Sequence, residues 1–428
     1  MTAIAFGVLL TCMVLAFPIS VAMGLGAIAP WLYNPASPCD LQYVIRSMVI
    51  GVDSTPILAI PLFMLSGAIM ARGGISKRLF DIFAYVIGKR TAGMPCAVIV
   101  TCLFYGTICG SGPATCAAVG AMTIPILVSL GYDKVFCAAI VATAGGLGLI
   151  IPPSISFIMF GLATGTSVGS LFIAGIIPGI VIAGFLMLYA YFYCVNRGED
   201  KEKIAANYEK LRARGFFGVM RDGFWAMMTP VFILGGIYGG IVTPTEAACI
   251  SVFYALAVSL FAYRTIRFDE IWGLVLESVR QYAPICMLLA IATSFSRVLT
   301  FAKAPQALAT ALSSTLNTPT TFLLCLNLVL LVLGMFIDGA PAILILSPML
   351  MPIAVKLGID PVHLGIIIVV NLTIGLATPP FGLNLFVSSA LIESPVTTLG
   401  RKVIPFVLAF IVALAIITFV PALSLMLL

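Results

Sequence analysis

Charged residues are scarce in this chain of 428 residues: they make up 9% of it, whereas hydrophobic residues make up 61%. A soluble protein of this size could not cover its surface with so few charges. The formal net charge of +6 does not indicate a nucleic-acid partner, because the cations lie in loops between long apolar runs. With a mean hydropathy of +1.18, the sequence predicts an all-α polytopic membrane protein surrounded by lipid.

Catalytic and metal-binding patterns are also lacking. There is one histidine, and the 11 cysteines are dispersed singly, without a CxxC pair or a Cys/His spacing typical of a metal site. No HExxH motif, intramembrane Asp pair or Ser/His arrangement is present. We therefore expect a protein that is not an enzyme, with cysteines that fill helix contacts.

Two Gly- and Pro-rich breaks interrupt long apolar runs. They read GLGLIIPPS at 146–154 and TIGLATPP at 373–380. The backbone groups that such a break frees have no partner in lipid, so a break persists only where protein or a polar cavity covers it. A matched pair, with one break in each half of the chain, points to the binding site of a secondary transporter.

The breaks belong to an internal repeat. When residues 125–153 are aligned with residues 352–380, 12 of 29 positions are identical. A pair of short apolar helices precedes each break and turns at a polar tip, which contains Ser111 in the first copy and Asp338 in the second. We interpret each pair as a re-entrant hairpin, because these polar residues would otherwise lie at turns on the membrane surface.

The predicted organisation has two halves. The first half, 1–195, has scaffold helices at 1–71, an amphipathic arm helix at 72–92 and transport elements at 93–166, which comprise a hairpin at 93–127 and a broken span at 134–166. A basic linker at 196–223 follows. The second half, 224–428, has scaffold helices at 224–299, an arm helix at 300–319 and transport elements at 320–393, which comprise a hairpin at 320–356 and a broken span at 362–393.

The cations determine the predicted orientation. With the linker in the cytoplasm, the loops on that side hold 17 of the 22 Lys and Arg residues. The run Ile4–Pro30 is interpreted as one retained crossing rather than a signal peptide, which places the N-terminus in the cytoplasm and the C-terminus in the periplasm. An odd number of crossings then separates the two copies, so the repeats are inverted.

Oxygen atoms are concentrated at the tips and the breaks. Carbonyl and hydroxyl oxygens suit a hard monovalent cation such as Na⁺, whereas the N-termini of the half-helices suit an oxyanion. The expected Na⁺ ligands are Ser111, Gly112, Thr115, Gly148, Pro152, Asp338, Gly339, Gly375 and Thr378. The expected substrate ligands are Ser111, Ser154, Thr378, Asn384 and Arg297. Two alternatives stay open, namely Asp338 as a helix cap and Arg297 as an interfacial residue.

The motifs resemble a known family. GSGPATCAAVGAMTIPILVSLGYD at 110–133, GGIVTPTEAA at 239–248 and IGLATPPFGLNLFVSSAL at 374–391 are similar, in order, to the large membrane (M) subunit of tripartite ATP-independent periplasmic (TRAP) transporters. The resemblance implies a multi-pass protein of the bacterial inner membrane, with an elevator fold like that of the ion-transporter superfamily. It also implies two partners, a small four-helix membrane subunit (Q) and a periplasmic substrate-binding protein (P). Gly112-Pro113 stand where many members have a second serine, which leaves the number of side-chain oxygens at the first cation site open.

The resemblance therefore implies Na⁺-coupled secondary active import of a small carboxylate or sulfonate anion by an elevator mechanism. The alternative is a proton-coupled carrier or one that is independent of a binding protein, and it predicts uptake that does not respond to the Na⁺ gradient. The tip residues fit many small acids, so the sequence does not select one substrate.

Overall fold

The computed structural model describes residues 1–35, 38–304, 306–307 and 318–428. In these ranges the chain is helical and contains no strand. Seven helices are long and apolar enough to cross a membrane: Thr55–Arg72, Gly112–Ser129, Val168–Arg197, Pro244–Ala262, Phe268–Phe301, Gly339–Lys356 and Val396–Phe419. The prediction of an all-α polytopic protein is confirmed.

The helices follow the order of the repeat. The first half contains Thr2–Val14, Ile19–Tyr33, Leu41–Val52, Ala59–Arg72, Ile75–Ile87, Gly93–Cys109, Gly112–Ser129, Lys134–Ala144, Ile155–Thr164 and Val168–Arg197. The linker contains Lys201–Ala213. The second half contains Phe216–Tyr238, Pro244–Ala257, Ile271–Phe301, Pro319–Gly334, Gly339–Lys356, Pro361–Ala377, Leu383–Ile392, Val396–Phe419 and Ala422–Leu425.

Each half contains the expected hairpin and broken span. The first hairpin joins Gly93–Cys109 to Gly112–Ser129, and the second hairpin joins Pro319–Gly334 to Gly339–Lys356. The first broken span runs from Lys134 to Thr164 and the second from Pro361 to Ile392, each with a Pro-Pro pair at its break. Proline lacks the N–H that would continue a helix, so the chain leaves the helical path at these pairs.

The helix Val396–Phe419 shows that the two copies are inverted. Near its beginning, Nζ of Lys402 lies 3.7 Å from the carboxylate of Asp133, where the first broken span begins. Near its end, the carbonyl oxygen of Thr418 lies 3.2 Å from Nε2 of His363, where the second broken span begins. The two broken spans therefore begin at opposite ends of the helix Val396–Phe419. Inverted repeats have this arrangement, because their equivalent elements enter the membrane from opposite sides.

The run Ile4–Pro30 is not one crossing, contrary to the prediction. Its two helices are separated by Ala16, which has a φ of 60°, and by Pro18. They fold back on each other, since a Cβ on Gly26 would lie 3.0 Å from the carbonyl oxygen of Ala5. We call this element the N-terminal hairpin. The hydropathy of the sequence does not distinguish this hairpin from one long helix, because both arrangements bury similar apolar side chains.

The N-terminal hairpin changes the predicted topology. The hydroxyl of Thr2 donates a hydrogen bond to the carbonyl of Ala302, 3.2 Å away, at one end of the helix Ile271–Phe301. Near the other end of that helix, Glu277 forms an ion pair with Arg72 at 3.6 Å. Thr2 and Arg72, which begins the cation-rich arm, therefore lie near opposite ends of this helix.

The first arm helix, Ile75–Ile87, is amphipathic as predicted, with Leu79 and Phe80 buried and Lys77 exposed. Apolar side chains pack it against the first helix of the first hairpin and against the frame. By the frame we mean the helix Ala59–Arg72 and the helices within 216–301. The second arm helix, predicted at 300–319, lies largely outside the described residues.

Candidate substrate and cation site

Both hairpin tips and both breaks meet at one cavity of about 470 Å³. The tips contribute Gly110, Ser111, Pro113, Asp338, Gly339, Ala340 and Pro341. The broken spans contribute Leu149, Ile155, Ser156, Met159, Leu376 and Leu383. The opposite wall comes from the N-terminal hairpin and the frame, with Ile19, Ser20, Met64, Pro284, Ile285 and Leu288. The cavity therefore lies between the repeated elements and the helices that surround them.

Four helices of the repeat begin at the wall of this cavity. They are Gly112–Ser129, Ile155–Thr164, Gly339–Lys356 and Leu383–Ile392. The first turn of a helix carries partial positive charge and N–H groups without partners in the helix. The described residues that line the cavity include no Lys, Arg or His. Backbone groups, rather than cationic side chains, thus make this cavity suitable for an anion.

The first tip packs directly on the first break. A Cβ on Gly148 would lie 2.5 Å from Oγ1 of Thr115 and 3.0 Å from the carbonyl oxygen of Ser111. A Cβ on Gly106 would lie 2.6 Å from Cα of Gly148. Only glycine permits this approach, which brings the break and the tip oxygens together at the predicted first cation site.

Thr115 has an orphaned hydroxyl. Its side chain is fully buried, and Oγ1 forms no hydrogen bond with the described residues. A buried polar atom without a partner costs free energy, and a cation is one way to satisfy it. The donor set fits Na⁺ in kind, because a hydroxyl and neighbouring carbonyls are hard neutral oxygens.

The second tip has the same contact in tighter form. A Cβ on Gly375 would lie 2.3 Å from the carbonyl carbon of Gly334. Beyond this contact, Oδ1 of Asp338 accepts a hydrogen bond from the N–H of Gly339 at 2.8 Å, so Asp338 caps the second tip helix. Asp338 also lines the cavity, and its second carboxylate oxygen accepts no hydrogen bond from the described residues.

At the two breaks, Thr378 and the prolines contribute backbone oxygens. Oγ1 of Thr378 donates to the carbonyl of Ile374 at 2.7 Å, so the hydroxyl hydrogen is used within the second broken span. The carbonyl of Thr378 accepts from the N–H of Gly382 at 3.2 Å. At the first break, Pro152 is buried, and a Cβ on Gly110 would lie 2.8 Å from the carbonyl oxygen of Pro153.

Ser154 and Asn384 lie beside the site but do not line the cavity. Ser154 caps the second half of the first broken span by accepting from the N–H of Phe157 at 3.3 Å. Asn384 donates from Nδ2 to the carbonyl of Ala142 at 3.0 Å, which ties the second broken span to the first. Oδ1 of Asn384 has no hydrogen-bond partner in the described part of the chain.

Arg297 is not brought together with the other predicted ligands. It lines a separate cavity of about 290 Å³, whose wall includes Ser54, Thr293 and Leu344. The sequence placed Arg297 only by its depth in a long helix, and depth does not determine which side of the helix a residue occupies.

Two wall residues of the cavity, and a polar network on the second broken span outside the cavity, escaped prediction. Ser20 and Met64 lie on the opposite wall, where no sequence repeat marked them. Nδ2 of Asn371, on the second broken span, donates to Oδ1 of Asn327 at 2.8 Å, and Asn327 donates to Thr418 at 3.0 Å. Two asparagines inside apolar runs were a usable signal, because buried polar groups in a membrane are costly without partners.

Inverted repeats, re-entrant hairpins and broken spans around one cavity are typical of a secondary transporter. Residues 6–423 match the family model described as tripartite ATP-independent periplasmic transporter, DctM component, and the chain belongs to this family.

The names of several relatives of this chain mention organic acids. It is 40% identical to the isethionate TRAP transporter permease protein DctMQ of Oleidesulfovibrio alaskensis over 98% of its own length, and it spans 65% of that protein. It is 41% identical to the C4-dicarboxylate TRAP transporter large permease protein DctM of Pseudomonas aeruginosa, over 94% of this chain and 92% of that protein. The ectoine TRAP transporter large permease protein TeaC of Halomonas elongata is 32% identical, over 100% and 99%.

Two solved structures share the fold at low sequence identity. The YdaH transporter of Alcanivorax borkumensis aligns with a TM-score of 0.60 and 14% identity, over 90% of this chain and 89% of that chain. MtrF of Neisseria gonorrhoeae aligns with a TM-score of 0.61 and 14% identity, over 88% and 83%. At this identity, the likeness concerns the fold alone.

Proposed function

We propose that this chain is the transport subunit of a Na⁺-coupled importer of a small organic acid anion, and that it works by an elevator mechanism in the bacterial inner membrane. The observation that carries the proposal is the cavity itself. Two tips, two breaks and four helix N-termini meet there, and the described lining residues include no cationic side chain. An anion in this cavity needs a counter-charge that moves with it, and Na⁺ supplies that charge.

The two proposed cation sites differ in charge. The first uses Ser111, Gly112, Thr115, Gly148 and Pro152, all neutral oxygen donors. The second uses Asp338, Gly339, Gly375 and Thr378, and so contains one carboxylate. A cation at either site holds its tip in the geometry that the anion requires, so the binding free energies of ion and substrate are linked.

The proposed substrate is a small carboxylate or sulfonate. The names of the relatives, which mention isethionate, C4-dicarboxylate and ectoine, support this range. A cavity of about 470 Å³ is large enough for a molecule of this kind. Proposed partners are a small membrane subunit that packs on the frame and a periplasmic protein that delivers the anion.

The orientation follows the cations. With the arm helix and the linker in the cytoplasm, as the excess of Lys and Arg favours, the N-terminus lies on the periplasmic side, because Thr2 and Arg72 lie at opposite ends of one helix. The C-terminus lies on the same periplasmic side, because Thr418 is at the other end of its helix from Lys402. The proposed side of the C-terminus is the predicted, periplasmic one, whereas the proposed side of the N-terminus is opposite to the predicted, cytoplasmic one.

In the proposed elevator, the hairpins and broken spans move as one body against the frame and the N-terminal hairpin. The cavity lies on the boundary between these two parts. A displacement along this boundary carries the cavity from one side of the membrane to the other without opening the contacts between tip and break.

The experiment is uptake into proteoliposomes that contain the chain and its small membrane subunit, with the binding protein and its bound anion outside. An inward Na⁺ gradient is expected to drive accumulation, and replacement of Na⁺ by K⁺ is expected to abolish it. Accumulation that persists without a Na⁺ gradient but follows a proton gradient supports the proton-coupled alternative. Accumulation of free anion without the binding protein supports an independent carrier.

A further inference from the structure

A separate polar cavity of about 590 Å³, which shares no lining residue with the substrate site, lies between the first arm helix and the frame. Its charged wall residues are Lys77, Arg78, Asp81, Arg214, Arg221 and Asp222. They come from three segments: the arm helix, the end of the linker, and the first turns of the helix Phe216–Tyr238. Four cations and two carboxylates give this wall an excess of positive charge.

Arg214 forms ion pairs with both carboxylates of the wall. Its Nη1 lies 3.2 Å from Oδ2 of Asp81, and its Nη2 lies 2.7 Å from Oδ2 of Asp222. Burial raises the pKa of Asp81, although Arg214 and Lys77 oppose this shift. Arg214 therefore forms ion pairs with both acids, whereas Lys77 acts on Asp81 through charge alone, without an ion pair.

Arg78 is also engaged. Its Nη1 donates to the carbonyls of Gly73 and Gly74, each at 3.1 Å, and its guanidinium lies 3.7 Å from the centre of the Tyr263 ring. This leaves Lys77 and Arg221, which are exposed and form no ion pair or hydrogen bond with the described residues. The wall thus has two more cations than carboxylates, and Lys77 and Arg221 are the cations without an ion pair.

The surroundings of the cavity are typical of the lipid headgroup region. Trp225 is part of the wall and is 43% exposed, while Phe217 and Phe261, close along the chain to wall residues, are 85% and 67% exposed. Exposed aromatic side chains beside cations form the belt at the membrane–water interface. An occupant of this cavity meets the cations and the side chain of Trp225 in the same wall.

We propose that this cavity binds the headgroup of an anionic phospholipid, with the phosphate between Lys77 and Arg221 and the acyl chains along the exposed aromatic residues. Basic pockets between membrane helices bind such headgroups through charge and hydrogen bonds. The lipid joins the arm helix to the frame, because Lys77 belongs to the first and Arg221 to the second. A free phosphate satisfies the cations but leaves the aromatic side chains uncovered, so the lipid is the favoured source.

The test measures the binding of phosphatidylglycerol to the detergent-purified complex of the chain with its small membrane subunit, by native mass spectrometry and by thermal shift. The wild-type protein is expected to retain phosphatidylglycerol and to melt at a higher temperature when it is added. Phosphatidylcholine and inorganic phosphate at the same concentrations are expected to give no comparable shift. The double variant Lys77→Gln/Arg221→Gln is expected to bind phosphatidylglycerol about 25-fold more weakly, or about fivefold for each cation removed.

The matched control is Lys89→Gln/Arg90→Gln, which removes the same charge just beyond the same arm helix but outside the cavity. It is expected to bind the lipid as the wild-type protein does. An equal shift with inorganic phosphate or phosphatidylcholine overturns the proposal, and so does undiminished binding by the double variant. Binding that disappears when the small membrane subunit is present also overturns it, because that subunit then occupies the cavity. If the double variant unfolds, Arg221→Gln alone is measured against the same criteria.

Discussion

At the scale of single residues, two equivalent glycines hold the tips against the breaks. Gly148 contacts Thr115 and the carbonyl of Ser111, and Gly375 contacts the backbone of Gly334. Neither contact leaves room for a methyl group. Steric contact therefore explains why both copies of the repeat have glycine at this position.

The variant Gly375→Ala tests this contact. Its Cβ would lie 2.3 Å from the carbonyl carbon of Gly334, which is backbone and cannot rotate away. We expect a loss of about 1–3 kcal/mol of stability and a severe loss of uptake. Melting temperature and proteoliposome uptake measure the two effects. Gly184→Ala is the control, since its Cβ meets nothing within 4 Å; equal behaviour of the two variants would contradict the prediction.

Asp338→Asn separates the charge of Asp338 from its capping role. Asparagine caps helices as well as aspartate does, so stability is expected to change little. Loss of the carboxylate is expected to raise the Na⁺ concentration for half-maximal uptake by about tenfold or more. Asp360→Asn is the control, because Asp360 caps the second broken span outside the cavity. An unchanged Na⁺ requirement would leave Asp338 as a cap only.

The sequence predicted the polar tips better than their neighbours. Ser111 and Asp338 line the cavity, because a Gly- and Pro-rich turn inside a membrane needs polar partners. Ser154 instead caps its own helix, because a buried helix start must satisfy its N–H groups, and Asn384 donates to a carbonyl of the other broken span. Such competition between backbone and ligand is not visible in the order of residues.

At the scale of elements, the start of the linker joins two separate turns. The carboxylate of Glu199 accepts from the N–H of Ala92, at 3.0 and 3.1 Å, and from the hydroxyl of Tyr132. Ala92 precedes the first hairpin, and Tyr132 lies between that hairpin and the first broken span. One side chain thus restrains both ends of the first hairpin.

Tyr132→Phe removes one of these restraints. We expect a loss of about 1 kcal/mol of stability, measured as a lower melting temperature. Burial, followed by the contact with Glu199, raises the pKa of the Tyr132 phenol, so the phenol remains a donor when the pH rises. The difference between variant and wild type is therefore expected to stay constant from about pH 7 to 9. Tyr191→Phe, which changes an exposed tyrosine, serves as control, and an equal loss there would remove the role assigned to Glu199.

The helical elements were predicted best where Gly and Pro residues mark their ends. The hairpins and broken spans were found because Gly and Pro repeat at equivalent positions in the two halves. The N-terminal hairpin was missed although Pro18 lies within it, because proline is also tolerated inside membrane helices and no second copy was present for comparison.

At the scale of the whole molecule, the proposed elevator requires the hairpins to move past the frame. A Cβ on Gly67, in the frame, would lie 3.5 Å from Cβ of Cys109, at the end of the first helix of the first hairpin. That separation is at the short end of the range that a disulfide spans.

Gly67→Cys therefore offers a lock between the two parts. Oxidation is expected to join the new thiol to Cys109 and to stop uptake, and a reducing agent is expected to restore it. The same substitution combined with Cys109→Ser is the control and is expected to be insensitive to oxidant. Full uptake by a quantitatively cross-linked protein would show that these two helices do not move past each other.

The absence of cationic side chains among the described residues of the substrate cavity has a consequence for the membrane potential. On the proposed mechanism, the unloaded moving body carries the single carboxylate of Asp338 in that wall. A potential that is negative inside pushes this charge outward, by roughly 2.3 kcal/mol per 100 mV if it crosses the whole field. The voltage therefore favours the return of the empty carrier, in the step where neither the ion gradient nor the substrate drives it.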